Sequence, residues 1–271
     1  MTHDLKVTVL GSGTCTPSRH RQNAGYLLHI GTHRVLVDAG SGTIGRLMKV
    51  GIPVHRLDAI FVTHLHLDHT ADLFPLLFAM RNSYGFQRTQ DLTIYGPPGF
   101  QNFYTHLDHV YGRWILSEDY RIHVRELRPN SEEDIHVGTD RVRSFAMKHT
   151  PHSLAYRFEA GMGRSIALTG DADESPALDA LLEEASLAIV DCSMPDELKI
   201  PGHLTPSGIG KAAARSRPGA ILLSHFHPPA DHPGIIEAVH RFYEGPVFRA
   251  HDLWTYQVLD SSDVVSQPPP Q

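Results

Sequence analysis

With 271 residues, the chain can bury a hydrophobic core large enough that it needs no disulfide framework, and its two cysteines could not build one. The 24 Lys and Arg residues against 30 Asp and Glu residues give a net charge of −6, which argues against a broad basic surface for nucleic acid. The sequence contains neither a membrane-length apolar run nor a signal-peptide pattern, so a cytoplasmic protein without membrane contact is expected.

Short apolar, β-branched runs that end at polar or glycine-rich loops recur along the chain and predict strands. In the first half these runs lie at 5–11, 25–30, 33–40, 57–64 and 92–96. In the second half they lie at 141–149, 154–160, 164–171, 187–192, 220–225 and 253–259. Helical patterns between the strands predict helices at 71–81, 100–112, 175–185, 206–217 and 233–243.

Two strand-rich halves, each with helices, predict an α+β fold in which two mixed β-sheets pack face to face and are flanked by helices. No linker-like stretch separates the halves, so a single domain over 1–259 is expected. The tail at 260–271 is polar and rich in proline, and it is expected to be disordered.

The strongest chemical signal among the 20 histidines is the run HLHLDH at 64–69. Residues two apart in an extended segment face the same side, so His64 and His66 can bind one metal ion together. The chain then turns toward a helix, which moves Asp68 and His69 to a neighbouring position. Four ligands within six residues are too many for one tetrahedral zinc with an open position, so they predict two adjacent metals.

Three further candidate ligands, His149, Asp171 and His225, each end an apolar predicted strand. Side chains at the carboxyl ends of strands emerge into a shared crevice. We therefore expect these three residues to complete the metal sites that the 64–69 run begins. Asp38 also ends a predicted strand, and it is expected to orient a metal-bound histidine.

The HLHLDH run matches the HxHxDH signature of the metallo-β-lactamase superfamily, and the three remote residues occur in that family's order. The chain resembles this family over nearly its whole length. The resemblance implies a four-layer αββα sandwich with a two-metal site at one edge. It also implies that His64, His66 and His149 hold the first metal, that Asp68, His69 and His225 hold the second, and that Asp171 bridges them.

Three segments are similar to the ribonuclease Z branch of this superfamily and to its small phosphodiesterase relatives. They are a glycine-rich first loop at 10–28, HTPHSLAY at 149–156 and PGHLT at 201–205. The last segment lies where that branch carries a catalytic His-x-Thr. The resemblance therefore implies that His203 contacts the phosphate or protonates the leaving oxygen, which suits the pKa of histidine. Thr205 is predicted to be the N-cap of the following helix.

The predicted reaction is metal-dependent hydrolysis by a hydroxide that bridges two divalent ions, because metal binding lowers the pKa of water to about 7. Asp68 and His203 are the predicted catalytic residues. A ligand set of histidine and carboxylate without thiolate suits zinc, but it also suits manganese or iron.

One departure from ribonuclease Z concerns the long arm that grips tRNA in that branch, between the third histidine motif and the bridging aspartate. Here His149 and Asp171 are only 22 positions apart, which leaves no room for an arm. With the net charge of −6, this spacing favours a small or cyclic phosphodiester as substrate over nucleic acid. A homodimer is expected only from the resemblance to the family.

Two alternatives for the reaction stay open: hydrolysis of a carbonyl substrate (a lactone, thioester or β-lactam), and tRNA 3′ processing despite the missing arm. Two histidines also stay open as substrate contacts. His152 lies three residues after His149, and His227 lies in a proline-rich loop beside the predicted second metal.

Overall fold

Two mixed β-sheets form the middle of the protein in this computed structural model, which describes residues 4–129, 135–259 and 263–269. The first sheet has the strand order β15-β14-β1-β2-β3-β4-β5-β6. Its strands are β1 (Leu5–Gly11), β2 (Gly25–Ile30), β3 (His33–Val37), β4 (Ala59–Phe61), β5 (Leu92–Gly96), β6 (Ile122–Glu126), β14 (Thr255–Val258) and β15 (Val264–Gln267).

The second sheet has the strand order β13-β12-β11-β10-β9-β8-β7. Its strands are β7 (Ile135–Val137), β8 (Asp140–Ala146), β9 (Leu154–Glu159), β10 (Ser165–Leu168), β11 (Leu187–Asp191), β12 (Ile221–Ser224) and β13 (Val247–Arg249). Strands β3 to β6 are parallel to one another, and so are strands β10 to β13.

Seven α-helices lie in the described residues. They are α1 (Thr43–Lys49), α2 (Leu67–Thr70), α3 (Leu73–Asn82), α4 (Phe100–Val110), α5 (Pro176–Leu182), α6 (Pro206–Ser216) and α7 (Gly234–His240). Within the described residues, none has the length and apolar character needed to cross a membrane.

Both faces of the central strands are buried, and the side-chain alternation of these strands assigns residues to two apolar layers. In β4, Phe61 faces the second sheet, where its ring meets those of Tyr156 and Phe158 at centroid distances of 5.1 and 5.2 Å. Its neighbour Ile60 faces the other way and packs in the same cluster as Leu77 of α3. The predicted four-layer αββα sandwich is therefore confirmed.

The outer layers are made by helices from each half of the chain. Leu47 of α1, Leu77 of α3 and Phe100 of α4 pack against the outer face of the first sheet. Leu181 of α5 and Val239 of α7 belong to the cluster that covers the second sheet.

Two strands predicted from the sequence end earlier than expected because the next residue has a left-handed backbone. The strand predicted at 33–40 ends at Val37, before Asp38 with φ 60°. The strand predicted at 220–225 ends at Ser224, before His225 with φ 58°. A residue with positive φ cannot continue a strand, so apolar composition overestimates the length of both.

The prediction of a disordered tail is wrong for Val264–Gln267, which forms β15. This strand pairs antiparallel with β14 through registers that include Val264 with Val258. Backbone hydrogen bonds to an open sheet edge do not depend on apolar side chains, so a polar, proline-rich composition does not reveal the pairing. Residues 260–262 and 270–271 of the predicted tail lie outside the described residues.

Gly40 is expected to be needed at the turn beside the HLHLDH segment. A Cβ atom there would overlap the carbonyl oxygen of Asp68 and lie 2.7 Å from that of Ala24. The Gly40→Ala variant should therefore lose about 1–3 kcal/mol of unfolding free energy by displacing backbone. Gly45 of α1 has no atom within 4 Å of its added Cβ, so Gly45→Ala is the matched control and should unfold at or above the wild-type temperature. Equal melting temperatures for the two variants would contradict this explanation.

Candidate metal centre

The carboxyl ends of parallel strands from both sheets meet at one edge of the sandwich. Asp38 follows β3 and His64 lies three residues after β4 in the first sheet, while Asp191 ends β11 and His225 follows β12 in the second. Asp171 lies three residues after β10, between these two groups. Histidine and aspartate side chains from strands that are far apart in sequence therefore meet at this edge, as expected for open sheets.

Asp38 and His225 enter this edge through left-handed backbone conformations, with φ of 60° and 58°. Such conformations cost free energy in residues other than glycine, and they persist where surrounding contacts hold them. The Asp38 carboxylate accepts hydrogen bonds from the backbone N–H and the hydroxyl of Thr63, at 2.8 and 2.9 Å. These bonds join the end of β3 to the segment that carries the HLHLDH run.

The Asp171 carboxylate lies at the centre of the cluster, with one oxygen directed to each half. Its Oδ2 is 3.6 Å from Nε2 of His64 and 3.5 Å from Nε2 of His149. Nε2 of His149 is in turn 3.1 Å from Nδ1 of His66. One ligand atom from each of these four residues lies within 4.8 Å of the others. This half matches the residues that the resemblance implies for the first metal.

The other carboxylate oxygen, Oδ1 of Asp171, is 3.2 Å from Nε2 of both His69 and His225. These two nitrogen atoms are 3.3 Å from each other, and Nε2 of His225 is 3.5 Å from Oδ2 of Asp68. The side chains of all seven candidate ligands thus lie at this edge, where a further group of possible ligands joins Asp171 and His225 with Asp191 and His203.

The donor set fits two metal ions. In a tetrahedral site with bonds of about 2.1 Å, two ligand atoms lie about 3.4 Å apart, and the separations around Asp171 are 3.2–3.6 Å. Nε2 of His64 is buried and has no hydrogen-bond partner among the described residues. A buried nitrogen without a partner is costly unless another group binds it. The assignment of metals to these residues stays a prediction that this geometry supports.

Most of the imidazoles are held by a second contact through Nδ1, which leaves Nε2 for a metal. Nδ1 of His69 is 2.7 Å from Oδ2 of Asp38, the contact that the sequence predicts. Nδ1 of His149 donates to the carbonyl oxygen of Gly202 at 2.9 Å. Nδ1 of His225 lies 3.1 Å from Oγ of Ser193.

The electrostatics of the cluster depend on burial and on the carboxylates. Burial lowers the pKa of His64 to about 2, so this imidazole is neutral. Burial also opposes protonation of His225, but the carboxylates of Asp171, Asp191 and Asp68 raise its pKa to about 10. In the metal-free protein, a proton on His225 therefore supplies positive charge where a metal ion would otherwise do so.

His203 lies next to both halves of the cluster, with its ring 4.7 Å from that of His149 and stacked on that of His225 at 5.8 Å between centroids. Its Nδ1 is 2.9 Å from Oδ2 of Asp191 and 3.0 Å from Oγ of Ser193. Burial opposes its protonation, but the bond to Asp191 raises the pKa of His203 above its ordinary value. Lys199 donates to the carbonyl oxygen of His203 at 2.8 Å and fixes the loop that carries it.

Asp191 was not predicted from the sequence, although it contacts His203 directly. Its other oxygen, Oδ1, accepts from Oγ of Ser193 at 2.6 Å and is 3.6 Å from Nδ1 of His225. The available signal was its position in LAIVDC, where an aspartate ends an apolar strand as Asp38 does in HRVLVDAG.

The two histidines left open as substrate contacts differ in position. His152 is exposed and is not among the residues that cluster around Asp171, whereas His149 is. His227 is half-buried, and its Nδ1 is 3.2 Å from the hydroxyl of Thr14 and 3.0 Å from that of Thr16. Thr205 occupies the N-cap position of α6 as predicted, but its side chain makes no capping hydrogen bond.

The sequence of residues 33–226 matches the family model of the β-lactamase superfamily domain. The chain belongs to the β-lactamase superfamily. It is therefore a metal-dependent hydrolase, as predicted from the sequence. The chain is 30% identical over 247 residues to a ribonuclease Z from Mycobacterium sp. (strain KMS). The alignment covers 83% of this chain and 85% of the ribonuclease Z.

Solved structures of the superfamily share this fold. YhfI from Bacillus subtilis, a metallo-β-lactamase fold protein, has a TM-score of 0.82 at 24% identity, with 94% of this chain and 99% of that chain covered. The short form of human tRNase Z has a TM-score of 0.76 at 24% identity, with 93% and 99% covered. Both likenesses support the αββα sandwich.

Chelation of metal is expected to lower the melting temperature by about 10 °C, the effect of losing tightly bound ions. The difference in melting temperature between metal-loaded and chelated protein should widen as pH rises from 6.5 toward about 10. Over that range the chelated protein loses the proton on His225 that stabilises its folded state. Below this range protons also compete with metals for the imidazoles. Thermal melts at several pH values, with zinc added back as the control, test this. Identical melts with and without chelator at every pH would contradict it.

Proposed function

We propose that this superfamily member hydrolyses a small or cyclic phosphodiester with two divalent metal ions, of which zinc is the first candidate and manganese or iron the alternatives. The observation that carries the proposal is the division of the ligand cluster between the two oxygens of Asp171, with the His203 ring next to the rings of both His149 and His225. A pair of metal positions next to a proton donor suits displacement at phosphorus.

Residues His64, His66 and His149 would hold one ion, and Asp68, His69 and His225 the other, with Asp171 shared. When bound, the two ions supply a water of lowered pKa as nucleophile and neutralise charge on the phosphoryl oxygens.

His203 is the proposed proton donor to the leaving oxygen, acting through Nε2. Its Nδ1 faces the Asp191 carboxylate at 2.9 Å, which fixes the ring and stabilises its protonated form. Ser193 contacts both imidazoles, at 3.0 Å from Nδ1 of His203 and 3.1 Å from Nδ1 of His225. Proton donation by a positioned histidine typically contributes about 10²- to 10⁴-fold in rate.

A small substrate is favoured by the short connection between His149 and Asp171. All residues between them are described, and they form β9, the turn at 161–163 and β10, with β9 and β10 paired antiparallel. This hairpin lies within the second sheet, so the connection between His149 and Asp171 contains no arm that could grip a large nucleic acid.

RNA 3′ processing is the second candidate function, and the 30% identity to the ribonuclease Z of Mycobacterium sp. favours it. The chemistry at phosphorus is the same for both candidates, so the ligand cluster does not separate them. The hairpin between His149 and Asp171 and the net charge of −6 weigh against a long RNA.

A substrate panel run on one metal-defined preparation tests the proposal. The panel contains bis(p-nitrophenyl) phosphate, a cyclic nucleotide, a precursor tRNA, a lactone and a thioester. We expect turnover of the first two in at least one of the zinc, manganese and iron forms. No phosphodiester turnover in any form would overturn the proposal, and preferred turnover of the lactone or thioester would replace it with carbonyl hydrolysis.

A further inference from the structure

A polar cavity lies near the amino-terminal ends of β3, β4 and β5, whereas the metal centre lies at the carboxyl ends of strands. It has a volume of about 330 Å³, and its lining includes Arg34, Arg56, Asp58 and Arg88. Arg34 is the second residue of β3, and Asp38, which follows the other end of this strand, is about 13 Å away at about 3.3 Å per residue. The cavity is therefore separate from the cluster around Asp171.

Three arginines line this cavity, and the guanidinium group of Arg88 is held in position by backbone carbonyl groups. Arg88 is buried and donates to the carbonyl oxygens of His55 and Leu57, at 2.9 and 2.7 Å. It donates further to the carbonyls of Gln90 and Asp91, at 2.7 and 2.9 Å. All four acceptors are neutral carbonyl groups, so these hydrogen bonds fix the position of the Arg88 guanidinium group but do not neutralise its charge.

The other two guanidinium groups have donors to spare. Nε of Arg34 is buried and has no hydrogen-bond partner among the described residues. Arg56 is exposed and makes no ion pair with any described residue. Asp58 is the one acidic residue of the lining, and its Oδ2 accepts from the backbone N–H of Arg34 at 2.7 Å. Three positive charges thus face one negative charge.

An aromatic wall closes one side of the cavity. The rings of His55 and Phe86 are stacked at 4.4 Å between centroids. Burial, Arg56 and Arg88 lower the pKa of His55, so its ring is neutral and adds surface rather than charge. A flat wall beside guanidinium groups suits a ligand that has both a planar part and an anionic part.

We propose that this cavity binds a phosphate-bearing small molecule, with the phosphate held by Arg34 and Arg56 and the organic part against Phe86. Guanidinium groups bind phosphate through paired, charge-assisted hydrogen bonds, and both arginines line the cavity. A volume of about 330 Å³ exceeds what one phosphate fills, so room remains for an attached group. The proposal does not depend on the reaction at the metal centre.

Hydrogen exchange with mass-spectrometric readout tests this on the metal-loaded protein, because it separates the two sites. The probes are inorganic phosphate and AMP, with adenosine as the control that lacks the phosphate. We expect phosphate and AMP to slow exchange in peptides spanning 54–58 and 84–90, and AMP to do so at lower concentration. Slowed exchange only in the 64–69 segment, or an equal effect of adenosine, would overturn the proposal.

Two variants assign the effect to the cavity. Arg34→Gln and Arg56→Gln should each raise the ligand concentration needed to slow exchange at 84–90 by about tenfold or more. Because Arg56 is exposed, its variant should fold even where Arg34→Gln does not. Arg217→Gln removes an exposed arginine next to α6 and is the matched control, with no change expected. Wild-type protection in Arg56→Gln would refute the assigned role.

Discussion

Replacing Asp171 by asparagine is expected to lower phosphodiester turnover about a thousandfold, a loss of about 4 kcal/mol of transition-state stabilisation. The physical reason is that both oxygens of this buried carboxylate are used, Oδ2 facing His64 and Oδ1 facing His225. An amide has the same shape but offers one oxygen and no negative charge. Elemental analysis of the purified variant should show fewer than two metal equivalents per chain, whereas the wild-type protein should contain two.

The matched control is Asp179→Asn. Asp179 lies on α5, and its carboxylate pairs with Arg215 at 2.8 Å on the surface. Loss of an exposed ion pair changes stability little, so turnover and metal content should equal those of the wild-type protein. If Asp171→Asn retained two metals and full turnover, the shared-carboxylate arrangement would be wrong.

Replacing His203 by glutamine is expected to lower turnover of a cyclic nucleotide about a hundredfold, the contribution of a positioned proton donor. The loss should be much smaller for bis(p-nitrophenyl) phosphate, because p-nitrophenolate leaves without needing a proton. Glutamine keeps a polar side chain within reach of Asp191, and His203 is not among the seven predicted ligands. Metal content should therefore match that of the wild-type protein.

This dependence on the leaving group separates proton donation from a structural role. A merely structural loss at His203 would slow both substrates by the same factor. His106→Gln, on an exposed face of α4, is the control histidine variant and should leave both rates unchanged. Equal losses on the two substrates in His203→Gln would show that His203 does not protonate the leaving group.

The positions of the metal-ligand candidates could be predicted because they follow from local rules. Alternation in an extended segment places His64 and His66 together, and apolar strands that end in Asp or His deliver the remote residues to one edge. The backbone at His225 could not be predicted from these rules, since its left-handed conformation depends on contacts formed only in the folded protein.

Asp191 and β15 illustrate what local patterns omit. The contact between Asp191 and His203 joins the end of β11 to a loop twelve residues later, and only the three-dimensional fold sets that loop's position. The pairing of β15 with β14 is likewise a property of the sheet edge and not of the segment 264–267. In both cases a segment that is distant in sequence, and not the adjacent residues of the chain, determines the structure.

If two metal ions bind as proposed, the sharing of the Asp171 carboxylate between them makes the site a thermodynamically linked unit. An ion that draws on Oδ2 of Asp171 alters the charge left on Oδ1, so occupancy of one half changes the affinity of the other. Linkage of this kind is reciprocal. A substitution beside His149 would therefore change the affinity for metal at His225, even though the two histidines follow different strands of the second sheet.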